Sequence, residues 1–412
     1  MGRPPLVMPL LICGLLLTAA TAVSARPLFT AVTLANGAPV GTVNGTNSLR
    51  DLQSILDPVA TLDAFIQGGG VVTSVLDLRG LPIVAAFRAD GAESVLTVIL
   101  GNETLIELRE GTIEETLQDL EDLVRGTLQD PNASASEALT GILQGLLANS
   151  PVDPVAGNPN SLQTRMLMSD WDGGLEGPLT SGRKRISGED LFRLGLDYSY
   201  SQSGDWDVDT LSLPLGYRAN FSNPKWSFLM DLPITATNTG DDAWSVFGSF
   251  GLGLQYRPFG WWALTPMLRI GAAGSLDVGA LAVLYGATLT SHIRVPLGPV
   301  RLGIGNTLGF NKSVDDITIS DINVAYNLTN GVFRNGGYIE GDFTERFGWK
   351  FFGSDIRYCG TDLFTEYTDE VGVGIQTFGR IGGRRYDQLA LTASYVFARQ
   401  YDGLWLKLRW RF

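Results

Sequence analysis

The chain has 412 residues, with 30 Lys and Arg against 43 Asp and Glu for a formal net charge of −13, and it holds 50 glycines but only 2 cysteines and 1 histidine. Such acidity argues against nucleic acid as a partner, because a phosphate backbone repels it, and a single histidine leaves no Cys/His cluster for a transition metal. Beyond the N-terminal leader no stretch approaches the ~20 apolar residues of a membrane helix, so any membrane crossing would have to use strands.

Arg3 supplies a basic start, residues 6–17 are apolar, and Val23-Ser24-Ala25 has the small-residue form of a cleavage site. Residues 1–25 therefore read as a signal peptide cut after Ala25. Cys13 follows Ile12, which is too large for an acylation site, so the exported chain keeps one cysteine, Cys359, and no disulfide framework.

Residues 26–149 read as a small α+β domain. Strands are expected at 71–78, 81–88, 94–100 and 104–109, separated by the turn signals Arg79-Gly80, Asp90-Gly91 and Gly101-Asn102. Short helices are expected at 49–56 and 60–67. Thr112 and Glu115 have capping-box spacing ahead of a helix with the apolar stripe Leu117, Leu120, Leu123 and Val124. Ser134 and Glu137 start a second such helix over 135–148. A linker follows over 150–189, rich in Pro, Asn and Gly at first and polar from 173 onward. Charge divides unevenly: residues 26–170 carry 7 basic and 18 acidic side chains, residues 171–412 carry 22 and 25.

From residue 190 apolar side chains recur at every second position. Phe192, Leu194, Leu196, Tyr198 and Tyr200 oppose Arg193, Gly195, Asp197 and Ser199; Trp226, Phe228, Met230, Leu232 and Ile234 oppose Ser227, Asp231 and Thr235. The pattern recurs at 211–217, 246–256, 264–271, 283–295, 301–310 and 389–397. Between the last two, strands are expected at 322–328, 338–352 and 364–378. With the final stretch this makes about twelve strands over 190–412, close to the ~9–11 residues each that a membrane strand needs plus short loops. One alternating segment is a weak signal, but its repetition is a strong one, and only a closed barrel satisfies a strand backbone in lipid. The fold class expected is mainly β: an antiparallel transmembrane barrel behind a small α+β domain.

The barrel's inward set is unusually basic. Arg193, Arg218, Asp231, Arg269, His292, Arg294, Arg301, Lys407, Arg409 and Arg411 are expected to line the lumen. They could brace the barrel by pairing with Asp197 and Asp231, favour anions, or seat an acidic plug, for which the helix from Thr112 is the stronger electrostatic candidate. The connectors alternate too: tight Pro/Gly turns near 222–224, 258–260, 298–299 and 379–385 against acidic ones at 203–205, 240–242, 277, 315–316 and 402. With both barrel termini in the periplasm, the acidic set is extracellular.

Catalytic arrangements are weak. Ser291 neighbours His292, and adjacent strand residues point to opposite faces, so the pair cannot act together. Gly68-Gly69-Gly70 lacks the Lys-Ser/Thr of a phosphate loop, and Gly303 and Gly305 read as small luminal residues. No cofactor is expected.

The chain ends Leu404-Trp405-Leu406-Lys407-Leu408-Arg409-Trp410-Arg411-Phe412. Leu404, Leu406, Leu408, Trp410 and Phe412 share one face, and this ending resembles the C-terminal assembly signal of bacterial outer-membrane proteins. A leader, a non-barrel N-terminal region, a helix and linker, then about twelve strands is similar to the translocator of autotransporters, over residues 190–412. The chain departs from most of them in lacking a long β-solenoid passenger, and so is closer to solitary autotransporter domains. The resemblance implies the outer membrane of a Gram-negative bacterium, contact with its lipid and lipopolysaccharide, assembly by the β-barrel assembly machinery, a monomer, and display or anchoring of the N-terminal domain rather than catalysis. A channel for small solutes, anionic ones given the basic lining, is the alternative.

Overall fold

The computed structural model describes residues 26–48, 51–100, 103–125, 148–175, 191–240, 242–275, 277–314, 318–319, 322–323, 326–344, 346–381 and 384–411. Residues 1–25, expected to be a signal peptide cut after Ala25, the helix expected over 135–148 except for Ala148, and Phe412 lie outside the described residues.

The N-terminal part is a sheet covered on one face by helices. Its strands are β1 (Phe29–Ala35), β2 (Ala38–Pro39), β3 (Asn44–Thr46), β4 (Val72–Leu78), β5 (Leu81–Asp90), β6 (Glu93–Leu100) and β7 (Glu103–Glu110), in the order β2-β1-β4-β5-β6-β7 with β3 also on β1. The turn at Arg79 and Gly80, with φ of +56° and +88°, has the left-handed pair that matches hairpin twist. Helices α1 (Leu52–Ala60), α2 (Asp63–Gln67) and α3 (Ile113–Arg125) bury Leu52, Ile55, Ile66, Leu117 and Leu120 against Leu76, Phe87 and Leu96. The α3 start is capped: the Glu115 amide donates to Thr112 Oγ1 at 3.1 Å, and that hydroxyl donates to the Glu115 carboxylate at 3.1 Å. The sheet is larger than the four strands expected, because β1 pairs along its whole length with β4. Its Thr and Ala residues carry too little apolar contrast for the alternation to stand out.

The rest is a closed antiparallel barrel of twelve strands: β8 (Leu191–Ser203), β9 (Trp206–Asn220), β10 (Trp226–Thr239), β11 (Ala243–Phe259), β12 (Trp262–Ser275), β13 (Ala280–Leu297), β14 (Val300–Ser313), β17 (Thr329–Asp342), β18 (Phe347–Gly360), β19 (Tyr367–Ile381), β20 (Arg384–Ala398) and β21 (Tyr401–Arg411). The last strand closes it on the first, Leu404 opposite Tyr200 and Lys407 opposite Asp197. Leu213, Leu232, Leu268, Leu289 and Leu308 are exposed outside, whereas Asp231, Arg269 and His292 are buried inside. An apolar exterior around a polar interior, with every strand paired, is the solution a bilayer imposes on β structure. The protein is an outer-membrane β-barrel.

Two strands of the barrel sit elsewhere than the alternation suggests, while the one expected at 364–378 is found at Tyr367–Ile381. The described residues of 322–328 are not part of a barrel strand: two short strands, β15 (Thr318–Ile319) and β16 (Ile322–Asn323), pair with each other instead. Tyr326 and Leu328 are buried in the cluster shared with the N-terminal sheet. Their apolar spacing serves a buried loop, so the true strand begins one residue later, at Thr329, and the stretch read as 338–352 is split by a turn. The segment read as a linker over 150–189 also differs, for it contains α4 (Leu162–Leu175), which is almost entirely buried.

Candidate functional site: the occupied lumen

The barrel has two unlike ends. Turns β8–β9, β10–β11 and β12–β13, with Gly204-Asp205, Gly240 and Asp277, lie at one end together with the described residues between β14 and β17; the start of β8 and the end of β21 lie at the other. The N-terminal sheet sits on the acidic-turn end. Trp206, Val208, Phe247, Val278 and Leu363 join its buried cluster, Asn47 donates to the Gly240 carbonyl at 3.3 Å, and Arg26 pairs with both Asp77 and Asp205.

From this mouth the chain turns inward. Ser150 donates to the Arg79 carbonyl at 2.7 Å, and Ser203 donates to the Pro151 carbonyl at 2.5 Å. Asp153 is the centre of the entry. Its Oδ1 accepts the amides of Val155 at 2.6 Å and Ala156 at 3.1 Å; its Oδ2 accepts the Tyr326 hydroxyl at 2.7 Å and faces Arg79 at 3.8 Å. Burial pushes its carboxyl above the ordinary range, against the opposing pull of Arg79 and Tyr326. Gly157 turns the chain with φ of +87°, a conformation that a side chain resists.

Helix α4 then runs down the lumen, and at 1.5 Å per residue its length is about 21 Å, most of the apolar thickness of an outer membrane. On one side Asp170 receives Arg269 at 2.7 Å and Thr288 at 2.9 Å. Arg269 also reaches Asp231 at 2.7 Å and Ser249 at 2.9 Å, Arg193 reaches Asp231 at 2.5 Å, and Ser169 donates to the same carboxylate. On another side Arg165 stacks over Trp405 at 4.0 Å and donates to Asn160 at 2.9 Å. Opposite, Arg334 lies over Trp171 at 4.6 Å and pairs with Glu370 at 2.9 Å, which Lys407 also meets at 2.9 Å. Arg409 bridges Asp172 at 3.4 Å and Asp197. At the helix C-terminus, Arg218 donates to the Gly173 carbonyl at 3.3 Å and Gln255 to the Gly174 carbonyl at 3.2 Å, which satisfies the free carbonyls and sets a cation at the negative dipole end. Glycine makes room: a Cβ on Gly305 would lie 2.7 Å from Trp171.

The structure thus gathers six of the expected luminal residues around one helix: Arg193, Arg218, Asp231, Arg269, Lys407 and Arg409. Arg294 and Arg301 form a separate group farther toward the terminal end, both on Glu340, with Arg301 also on Asp342 at 3.0 Å. His292 is buried with Nε2 at 2.9 Å from the Tyr338 hydroxyl, while Ser291 faces outward and takes the Trp262 indole N–H at 3.0 Å, so the two take no part in one site. Arg411 is partly exposed on the last strand, opposite Arg193 and Gln388. Leu404, Leu408 and Trp410 are exposed on the outer wall and Leu406 is half-buried there. Among the described residues no group of three His, Cys, Asp or Glu could hold a metal ion.

Sequence reasoning missed Arg165, Asp170, Trp171, Asp172, Arg334 and Glu370. The helix gives little signal, because a segment enclosed on all sides has no reason to separate apolar from polar faces. The acidic helix α3, the stronger plug candidate by charge, packs on the N-terminal sheet instead.

No family model matches the sequence, and no curated protein matches it. Among solved structures the barrel is similar to the translocator domain of autotransporter NalP from Neisseria meningitidis (14% identity, 61% of this chain and 94% of that one, TM-score 0.45). It is similar to the β domain of the Bordetella autotransporter BrkA (12% identity, 55% and 99%, TM-score 0.43). An outer-membrane channel from Pseudomonas putida F1 is equally similar (12% identity, 57% and 100%, TM-score 0.43).

Proposed function

We propose that this outer-membrane barrel anchors and displays its N-terminal domain on the cell surface, with α4 as the chain segment that both tethers the domain and seals the pore. The observation that carries this reading is the path of the chain. Residues 26–125 lie on the acidic-turn end, 148–161 enter the mouth, α4 crosses the lumen, and β8 starts at the opposite end. With the barrel termini in the periplasm, that path leaves the N-terminal domain outside the cell. The lumen residues do binding work only: they hold a helix through charge pairs and caps, and they serve anchoring rather than turnover.

The test is protease added to intact cells. Digestion of the N-terminal domain while the barrel stays whole supports display, and protection of the domain until the outer membrane is permeabilised would refute it. A channel is the second reading, favoured by the wall itself. Arg193, Arg218, Arg257, Arg269, Arg334, Lys407 and Arg409 are set against Asp197, Asp231 and Glu370, so a lumen without the helix would pass anions in preference to cations. Steady anion-selective current from the intact protein in a planar bilayer would favour that reading.

A further inference from the structure

One row of the outer wall does not suit lipid. Ser291 on β13, Asn306 on β14, Asn335 on β17, Asp355 on β18 and Asp369 on β19 are consecutive partners across five strands. All occupy outward positions: Asn306 alternates with the exposed Ile304 and Leu308, Asn335 with Phe333 and Ile339, and Asp369 with Val371. Ser291 is satisfied by Trp262. Asn306 donates to the Asn335 side-chain oxygen at 2.6 Å in an exposed position, and Asp355 takes Arg357, also outward, at 2.7 Å. Near the middle of other strands the outward residue is leucine, at 196, 232, 252, 268, 289 and 391.

Depth decides what can meet this row, which climbs toward the acidic-turn rim as the strands tilt: Asp369 is two residues from the start of β19, at headgroup level, and the deep members are Asn306 and Asn335. Asn306 lies six residues from one end of β14 and seven from the other, and Asn335 is placed the same way in β17. At ~3.3 Å per residue and a tilt of ~40° the pair is about 15 Å from either rim, which is the middle of the bilayer and out of reach of lipid headgroups. Lipid tails cannot use two carboxamides there, so polar groups at this depth mark a protein contact.

We infer that this wall is the interface of a homodimer within the outer membrane. The chemistry is self-complementary, as an interface with two-fold symmetry requires. Carboxamides donate and accept, so Asn306 and Asn335 can meet their own copies. Gly337 and Gly353, side by side next to Asn335, leave the wall low enough for close approach. This departs from the monomer that the family resemblance implies, and it stands whether the barrel displays a domain or conducts solutes.

The test uses the full-length protein in native outer-membrane vesicles, labelled once per chain in the N-terminal domain and photobleached as single complexes. Two-step bleaching is expected, and the combined Asn306→Leu and Asn335→Leu variant should lose the two-step species at least tenfold at equal density. Leucine suits a lipid-facing position, so the variant should still fold, which heat-modifiable migration on gels checks. Independently, Asn335→Cys in a Cys359→Ser background should crosslink on oxidation, whereas Leu213→Cys on the opposite wall should not. Single-step bleaching without the crosslink overturns the proposal. So do dimers that survive the double variant, or a single copy of this chain bound to a different membrane protein.

Discussion

The lumen network makes a ranked prediction about what holds α4 in place. Asp170→Leu removes the acceptor for Arg269 and Thr288, but Arg269 keeps Asp231 at 2.7 Å and Ser249 at 2.9 Å. Breaking a buried pair costs about 3–5 kcal/mol when the survivor is stranded, and here the survivor keeps a partner, so the lower figure applies. Leu167 and Trp171 are 1% and 6% exposed, among residues of the barrel wall. Truncating both to alanine costs about 5–10 kcal/mol at typical core losses of 2–5 and 3–5. The ordering entropy of the helix is common to both variants, so the two losses can be compared directly. Planar-bilayer recordings should therefore show brief openings for Asp170→Leu, longer ones for Leu167→Ala with Trp171→Ala, and steady anion-selective current when residues 162–175 are deleted. Asp170→Leu opening as fully as the deletion would show that charge, not packing, seats the helix. A deletion that leaves the current unchanged would show that something else closes the pore.

Other consequences follow from single sites. Gly305→Leu should displace Trp171 and lower the temperature at which the barrel unfolds on a gel-shift assay, by several degrees, while Gly260→Leu, at an open turn, should leave it unchanged. Asp119 on α3 has a carboxyl raised to about 6 by burial and by the neighbouring Glu110. Its folded form therefore holds a proton that the unfolded chain releases near 4, so its contribution is full below pH 4 and is lost as pH rises through 6. Hydrogen-exchange protection of α3 should fall between pH 5 and pH 7.5, and Asp119→Asn should flatten that change. Deleting Phe412 should reduce the folded, heat-modifiable fraction recovered from the outer membrane, because the resemblance makes the terminal aromatic part of the signal read during assembly; undiminished recovery would count against it.

The barrel was legible along the chain because its two solvents are separated by the thickness of one strand. Lipid on one side and a polar lumen on the other force opposite chemistry on successive residues, and Leu404 to Arg411 record that alternation without any knowledge of the neighbouring strands. The same reasoning misplaced a strand at 322–328, since Tyr326 and Leu328 are spaced for a buried loop and periodicity cannot tell the two apart. The basic inward set was equally visible, because at mid-depth a guanidinium is tolerated only on the lumen side. What fills the lumen was not. Asp170 and Arg269 are 99 residues apart, and Asp172 and Arg409 are separated by 237. Neither end of either pair carries a local mark of its partner. A helix ringed by strands needs no amphipathic stripe, so Leu162–Leu175 looks like linker until closure of the barrel around it supplies a wall on every side. Composition and period determined that this chain makes a membrane barrel. Which segment occupies that barrel, and at which end the N-terminal sheet rests, was decided only by contacts between residues distant in sequence, whose energy exists once the fold has formed.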